Sequence, residues 1–262
     1  MLIGELFAGI GGLGLGLERA IPGARIAWQV EQNPFCRQIL KRHWPDAQQF
    51  EDVRWFPGHP PEQREKFADK KPWIQERKKY EVDIIAAGFP CQGASVAGKR
   101  LGLSDDRTAL WWEVVRIARV LRPRYLVLEN VPGLLTVSGG QDFGTVLGSL
   151  AANGYDAEWT VISAAEFGAP HKRERLFIIG TTANAYNVCK HAMSRYAEME
   201  SCKKPTGFEH WKKTESPMVG MADGLSRPMD RYRALGNAVV PQCAEWIGQR
   251  IASYQAEQDI PW

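Results

Sequence analysis

Short apolar runs that stop at a glycine, a proline or a carboxylate recur along this chain, and segments of helical spacing lie between them. Leu2 to Phe7, Arg25 to Val30, Val82 to Ala87, Tyr125 to Leu128, Ala157 to Ile162 and Leu176 to Gly180 read as strands. The near-continuous apolar character of several of them is that of a parallel sheet covered on both sides. Between them, Leu17 to Ala20 follows a glycine-rich turn, Pro34 to Trp44 carries proline at its first turn, and Asp105 to Thr108 offers caps for a helix from Ala109 to Val120. Phe143 to Ala152 is a further helix, and Gln242 to Tyr254 places Ala244, Ile247, Ile251 and Tyr254 on one face. Asp52-Val53 reads as the end of a short third strand. This alternation predicts an α/β fold.

Two stretches depart from the pattern. Residues 55–80 are charged and broken by Pro57, Pro60, Pro61 and Pro72, a surface excursion with one helix near Glu62 to Ala68. From Thr181 to about Arg227 the apolar periodicity fades, which marks a small irregular subdomain. Its Cys189, His191, Cys202 and His210 match no usual zinc spacing, so no metal is expected. The 262 residues, 44% of them hydrophobic, allow one large domain with an appendage, and no run is long and apolar enough to cross a bilayer. An odd set of five scattered cysteines and a start without signal-peptide character lead to the expectation of a cytoplasmic protein. The net charge of +3 permits a nucleic-acid partner without requiring one.

Candidate chemistry collects where strands end. Gly88-Phe89-Pro90-Cys91-Gln92 is a stiff turn past the Val82 to Ala87 strand, and a thiol there is a candidate nucleophile, although a lone cysteine is more often a small buried hydrophobe. Gly9-Ile10-Gly11-Gly12-Leu13-Gly14 has dinucleotide-fingerprint spacing between a strand and a helix. Glu31 ends the second strand, where a carboxylate can bind both hydroxyls of a ribose. Asp52 is placed to accept from a purine amine. Glu129 ends the strand expected beside the Cys91 turn. Gly93 to Gly102, with Ser95, Lys99 and Arg100, has the composition of a loop able to close over a phosphate-bearing substrate, and His171 to Arg175 is a basic turn.

These residues resemble the C5-cytosine DNA methyltransferases, in the order of that family's motifs. Phe7-Ala8-Gly9-Ile10-Gly11-Gly12 resembles its S-adenosylmethionine motif, Pro90-Cys91-Gln92 its nucleophile motif, and Glu129-Asn130-Val131 its catalytic glutamate motif. Arg173-Glu174-Arg175 resembles its arginine pair and Gly236-Asn237-Ala238-Val239 its C-terminal cofactor motif. The resemblance covers residues 1–180 and 229–254, which it implies form the catalytic and cofactor domain, with 181–228 a reduced target-recognition region. It implies a Rossmann-like methyltransferase fold, a mostly parallel sheet with helices on both faces. It implies that Cys91, Glu129, Arg173 and Arg175 carry catalysis. S-adenosylmethionine would be held by Phe7, Gly9, Gly11, Glu31, Asp52, Val53, Pro90, Asn237 and Val239. Gln92, Ser95, Lys99 and Arg100 would face DNA.

The implied reaction is methylation of C5 of a flipped-out cytosine in double-stranded DNA by a monomer, in restriction-modification or phage DNA protection, in a bacterial or phage-infected cell. The sequence departs from the family at His171, where glutamine is usual, and at Met221 to Pro228, where the helix motif before the last cofactor motif is not recognisable. The alternatives are a tRNA cytosine-5 methyltransferase, whose cysteine-phenylalanine-threonine signature is absent, and a NAD-dependent oxidoreductase, in which Glu129 and the arginine pair would have no role.

Overall fold

A computed structural model of the protein describes residues 1–57, 77–90, 109–182 and 235–258. In chain order the described elements are β1 (Leu2–Leu6), α1 (Gly12–Ala20), β2 (Arg25–Val30), α2 (Pro34–His43), β3 (Gln48–Phe50), β4 (Ile84–Gly88), α3 (Ala109–Leu121), β5 (Tyr125–Asn130), α4 (Gln141–Ala152), β6 (Tyr155–Ser163), β7 (Glu174–Thr182) and α5 (Pro241–Gln258). The described strands form one sheet in the order β3-β2-β1-β4-β5-β7-β6. The first five in that row are parallel, and β7 runs antiparallel to both β5 and β6. This is the mostly parallel, Rossmann-like α/β sheet anticipated above.

The helices cover both faces. Leu13 and Leu17 of α1 pack with Ala244, Ile247 and Ile251 of α5 against Ile3, Ile84 and Val127. On the other face Trp111, Val114 and Ile117 of α3 and Val146 and Leu150 of α4 cover Ile85, Leu126 and Leu128. Along β5 the residues alternate between these two layers, so both are closed by the same strand. Asn33 caps α2 through its side chain, which accepts from the Phe35 N–H at 2.9 Å, and Pro34 follows it.

One boundary differs from the sequence reading. The segment Ala8 to Gly16 was expected to be turn throughout, with the helix beginning at Leu17. The turn ends at Gly11, and α1 begins at Gly12. The later glycines are there for proximity. A methyl group at Gly16 would lie 2.3 Å from the Pro241 carbonyl and 2.5 Å from Ala244 Cβ, so α1 and α5 touch backbone to backbone. Asp52-Val53 also lies beyond its strand: β3 stops at Phe50, and Asp52 caps a 3₁₀ turn over Val53–Trp55. Most of the 55–80 excursion and most of the 181–228 region lie outside the described residues.

The helix contact makes opposite predictions for two glycines. Gly16→Ala should destabilise the fold by about 1–3 kcal/mol, the usual cost of overpacking. In α4, a methyl at Gly148 meets nothing within 4 Å, so Gly148→Ala should stabilise it. The gain expected there is about 0.5–1 kcal/mol from helix propensity. Urea unfolding of both variants checks the pair.

Candidate active site

The sheet reverses its winding between β1 and β4, since the connection after β1 leads to one side and that after β4 to the other. In open α/β sheets the crevice at such a point, beyond the carboxyl ends of the strands, receives ligands. The sequence-predicted residues lie along this edge. Phe7 and Gly9 follow β1, Glu31 follows β2, Asp52 follows β3, Pro90 follows β4, and Glu129 is near the end of β5. Because β7 is reversed, Arg173 and Arg175 at its start reach the same edge.

The turn after β1 is backbone-specified. Phe7, Gly9 and Gly11 all have positive φ (55°, 57° and 84°), and the space a Cβ would occupy at Gly9 is open to 4 Å. The Gly9 N–H donates to Glu31 Oε2 at 2.7 Å, and the Asn33 N–H donates to Glu31 Oε1 at 2.8 Å. Each carboxylate oxygen keeps a second lone pair, so a diol can still be accepted. Asp52 is already engaged: it accepts from the Arg54 N–H at 2.9 Å, and its carboxylate pairs with the Arg54 guanidinium at 2.5 Å. The Val53 side chain is buried in the core. Val239 is buried beside α1, its carbonyl 2.2 Å from where a Gly12 Cβ would stand, and Asn237 is exposed.

At the other half of the crevice Gly88 stands opposite Glu129 in the β4/β5 ladder. Asn130 Nδ2 donates to the Phe89 carbonyl at 3.0 Å, and Asn130 Oδ1 accepts from the Val131 N–H at 2.8 Å. One buried amide thus ties the Phe89-Pro90 turn to the end of β5. Phe89 is itself wedged against Trp111, ring centroids 4.8 Å apart. Glu129 is 8% exposed, and its Oε1 pairs with Arg175 Nε at 2.9 Å. Burial raises its carboxyl above the ordinary glutamate range, and Arg175 and then Arg173 oppose that shift. Arg173 adopts φ 33° and its guanidinium donates to the Ala238 carbonyl at 2.5 Å, tying β7 to the 235–239 segment. Cys91, Gln92, Ser95, Lys99 and Arg100 lie outside the described residues, as do Cys189, His191, Cys202 and His210.

Sequence reading missed one acid at this edge. Glu5, in the middle of β1, is 1% exposed. It accepts from the Gly14 N–H of α1 at 2.7 Å and from Gln29 Nε2 at 2.7 Å. Burial, reinforced by the nearby Glu18 and Glu31 carboxylates, lifts its carboxyl to about 7 against the opposing pull of these two hydrogen bonds. A carboxylate inside the otherwise apolar run Leu2 to Leu6 was the available signal.

An α/β sheet with one reversed strand, an open glycine turn beside Glu31, and the Glu129–Arg175 pair line one crevice at the carboxyl ends of the strands, the place where open α/β sheets receive ligands. The model of the family described as "C-5 cytosine-specific DNA methylase" matches residues 1–220. The type II methyltransferase M.NgoBV of Neisseria gonorrhoeae is 32% identical over 188 residues, 68% of this chain and 40% of that protein. The type II methyltransferase M.Sau3AI of Staphylococcus aureus is 36% identical over 183 residues, 67% of this chain and 42% of that protein. A prophage-encoded protein of E. coli, described as a DNA modification methyltransferase, superposes with a TM-score of 0.52 at 26% identity, over 70% of this chain and 47% of that one. The chain belongs to the C-5 cytosine-specific DNA methylase family. It spans less than half the length of these three relatives. Among the described residues no helix is long and apolar enough to cross a membrane, and no group of three or more His, Cys, Asp or Glu could hold a metal ion.

The buried acid sets a pH dependence. The folded protein holds a proton on Glu5 up to about pH 7, whereas an unfolded glutamate releases it near 4.5. Between those values the folded state binds more protons, so stability falls as pH rises through this window and the penalty is complete above it. The full effect is on the order of 3 kcal/mol. Glu5→Gln should flatten this part of the profile, measured by denaturant unfolding from pH 5 to 8.

Proposed function

We propose that this protein transfers a methyl group from S-adenosylmethionine to C5 of cytosine in double-stranded DNA. The observation that carries the reading is the Glu129–Arg175 pair, 2.9 Å apart and buried at the sheet edge directly beside the Phe89-Pro90 turn that leads to Cys91. Family membership supports reading that turn as the nucleophile turn.

Cytosine C5 is a weak nucleophile. The Cys91 thiolate adds to C6, the displaced electron pair moves toward N3 and the ring carbonyl, and C5 becomes enamine-like. Glu129 hydrogen-bonds the N3 and exocyclic amine edge of the base, which stabilises the adduct. Arg175 supplies positive charge to the ring carbonyl. Arg173 helps hold the base and the loop, and its bond to the Ala238 carbonyl also ties down the 235–239 segment. After transfer, loss of the C5 proton to a base restores the C5–C6 double bond and expels the thiolate. A base inside a duplex cannot reach this edge, so the target must be flipped out, with Gln92, Ser95, Lys99 and Arg100 on the DNA side.

The residues present fit the donor. The open space over Gly9 admits the amino-acid end close to the main chain, and Glu31 keeps acceptor capacity for the ribose hydroxyls. Phe7, Gly11, Pro90, Asn237 and Val239 complete the proposed lining, with Asp52 and Val53 toward the adenine. When bound, S-adenosylmethionine supplies an electrophilic methyl on sulfonium. The role proposed for the enzyme is protection of DNA in a restriction-modification or phage setting, acting as a cytoplasmic monomer with residues 181–228 as its target-recognition region.

Incubation of duplex DNA, and separately tRNA, with methyl-labelled S-adenosylmethionine tests the assignment: label in DNA is expected, and label confined to tRNA overturns it. Cys91→Ser should abolish transfer while cofactor binding persists. Glu129→Gln should lower kcat by about 10²–10⁴-fold, the range for removing a proton-transfer group. A duplex carrying 5-fluorocytosine should form a covalent adduct with the wild type, because fluorine blocks the final proton loss, and none with Cys91→Ser.

A further inference from the structure

Arg116 sits in the second half of α3, on no motif considered above, yet its side chain reaches the donor side of the site. Its NH2 group donates to the Val53 carbonyl at 3.0 Å and to the Phe56 carbonyl. Its Nε donates to Glu113 Oε2 at 2.6 Å, one helical turn earlier on the same face. The carbonyls it binds belong to the 3₁₀ turn Val53–Trp55 and its exit residue. Val53 and Phe56 point their side chains into the core, 4% and 1% exposed, while Asp52 caps the turn from its other end. The Val53 carbonyl already closes the turn by accepting from the Phe56 N–H at 3.2 Å, and one guanidinium nitrogen of Arg116 binds this carbonyl and that of Phe56 together. The turn is thus fixed at one end by a carboxylate cap and at the other by an arginine fork, whose orientation Glu113 sets.

We propose that Arg116, oriented by Glu113, is a positioning residue for the methyl donor: it holds the Asp52–Phe56 turn in the geometry that receives the adenosine end. The inference rests on the assignment of Asp52 and Val53 to the adenine side. It also links the two halves of the crevice mechanically. α3 follows directly on the 91–108 segment that begins with Cys91, and Phe89 stacks on Trp111 of the same helix. One helix therefore braces both the nucleophile turn and the donor turn.

The test is calorimetric binding of S-adenosylhomocysteine together with steady-state kinetics. Arg116→Met should weaken binding by about tenfold or more and raise the donor KM in parallel, with kcat and the DNA KM within about twofold. Arg116→Lys, a point charge without the fork, should fall between Met and wild type. Glu113→Gln should shift affinity in the same direction by less. Ile117→Val, a buried change on the same helix that touches none of these contacts, should lower the melting temperature and leave donor affinity unchanged. If wild type binds S-adenosylhomocysteine and Arg116→Met or Arg116→Lys binds it equally well, the positioning role is overturned and the function stands. The role is likewise overturned if Ile117→Val loses affinity in proportion to its lost stability. A wild type that does not bind S-adenosylhomocysteine overturns the donor assignment, and the inference falls with it.

Discussion

The parallel ladder between β4 and β5 ends with Gly88 opposite Glu129, and the chemistry available at the crevice depends on that pairing. It sets a carboxyl beside the turn that leads to the cysteine. Asn130 then fixes the turn by a buried amide contact to the Phe89 carbonyl. A small residue is needed opposite the acid: a Cβ at Gly88 would stand 3.2 Å from Glu129 Oε2, tighter than ordinary packing allows. Glycine here leaves room for a carboxyl group to lie flat against the strand end.

The reversed strand is the second half of the same arrangement. In an all-parallel sheet the start of β7 would emerge at the far edge, and its arginines would be a strand's length from Glu129. Antiparallel pairing of Glu129 with Phe177 brings Arg175 alongside the acid. A short pair of this kind offsets part of the cost of burying the carboxylate. Arg173, two residues earlier, also serves a different part of the molecule by holding Ala238. Both arginines counter the burial of Glu129, and Arg173 in addition anchors a distant segment, which the motif alone does not reveal.

What the sequence made legible was local. Strand ends were readable because apolar runs stop abruptly at Glu31, Gly88 and Glu129, and the placement of functional groups followed from where α/β sheets bind ligands. The start of α1 was not readable. Gly12, Gly14 and Gly16 look like turn residues, and only distant neighbours explain why side chains are excluded there: the Val239 backbone at Gly12, the Glu5 carboxyl at Gly14 and the start of α5 at Gly16. Arg116 and Glu113 were invisible for a related reason: an acid and a base three apart on a helix look like an ordinary solvated pair. The contact of Arg116 with the Val53 and Phe56 carbonyls depends on a segment some sixty residues earlier. Cys91 was singled out from its turn and from the resemblance of Pro90-Cys91-Gln92 to the family's nucleophile motif, and it lies outside the described residues.

Glu5 has a bearing on how the sheet is assembled. It pairs in register with Gln29, which pairs in turn with Gln49, so a polar row crosses β1, β2 and β3 beneath α1. Strand pairing by backbone alone tolerates slippage, and a shift of one residue turns every side chain to the opposite face. A slipped β1 would drive this carboxyl into the hydrocarbon layer formed by α3 and α4, where no glutamine or helix amide waits for it. The acid that costs stability at neutral pH therefore penalises the misaligned sheet more heavily than the correct one, and so acts as an alignment pin during folding.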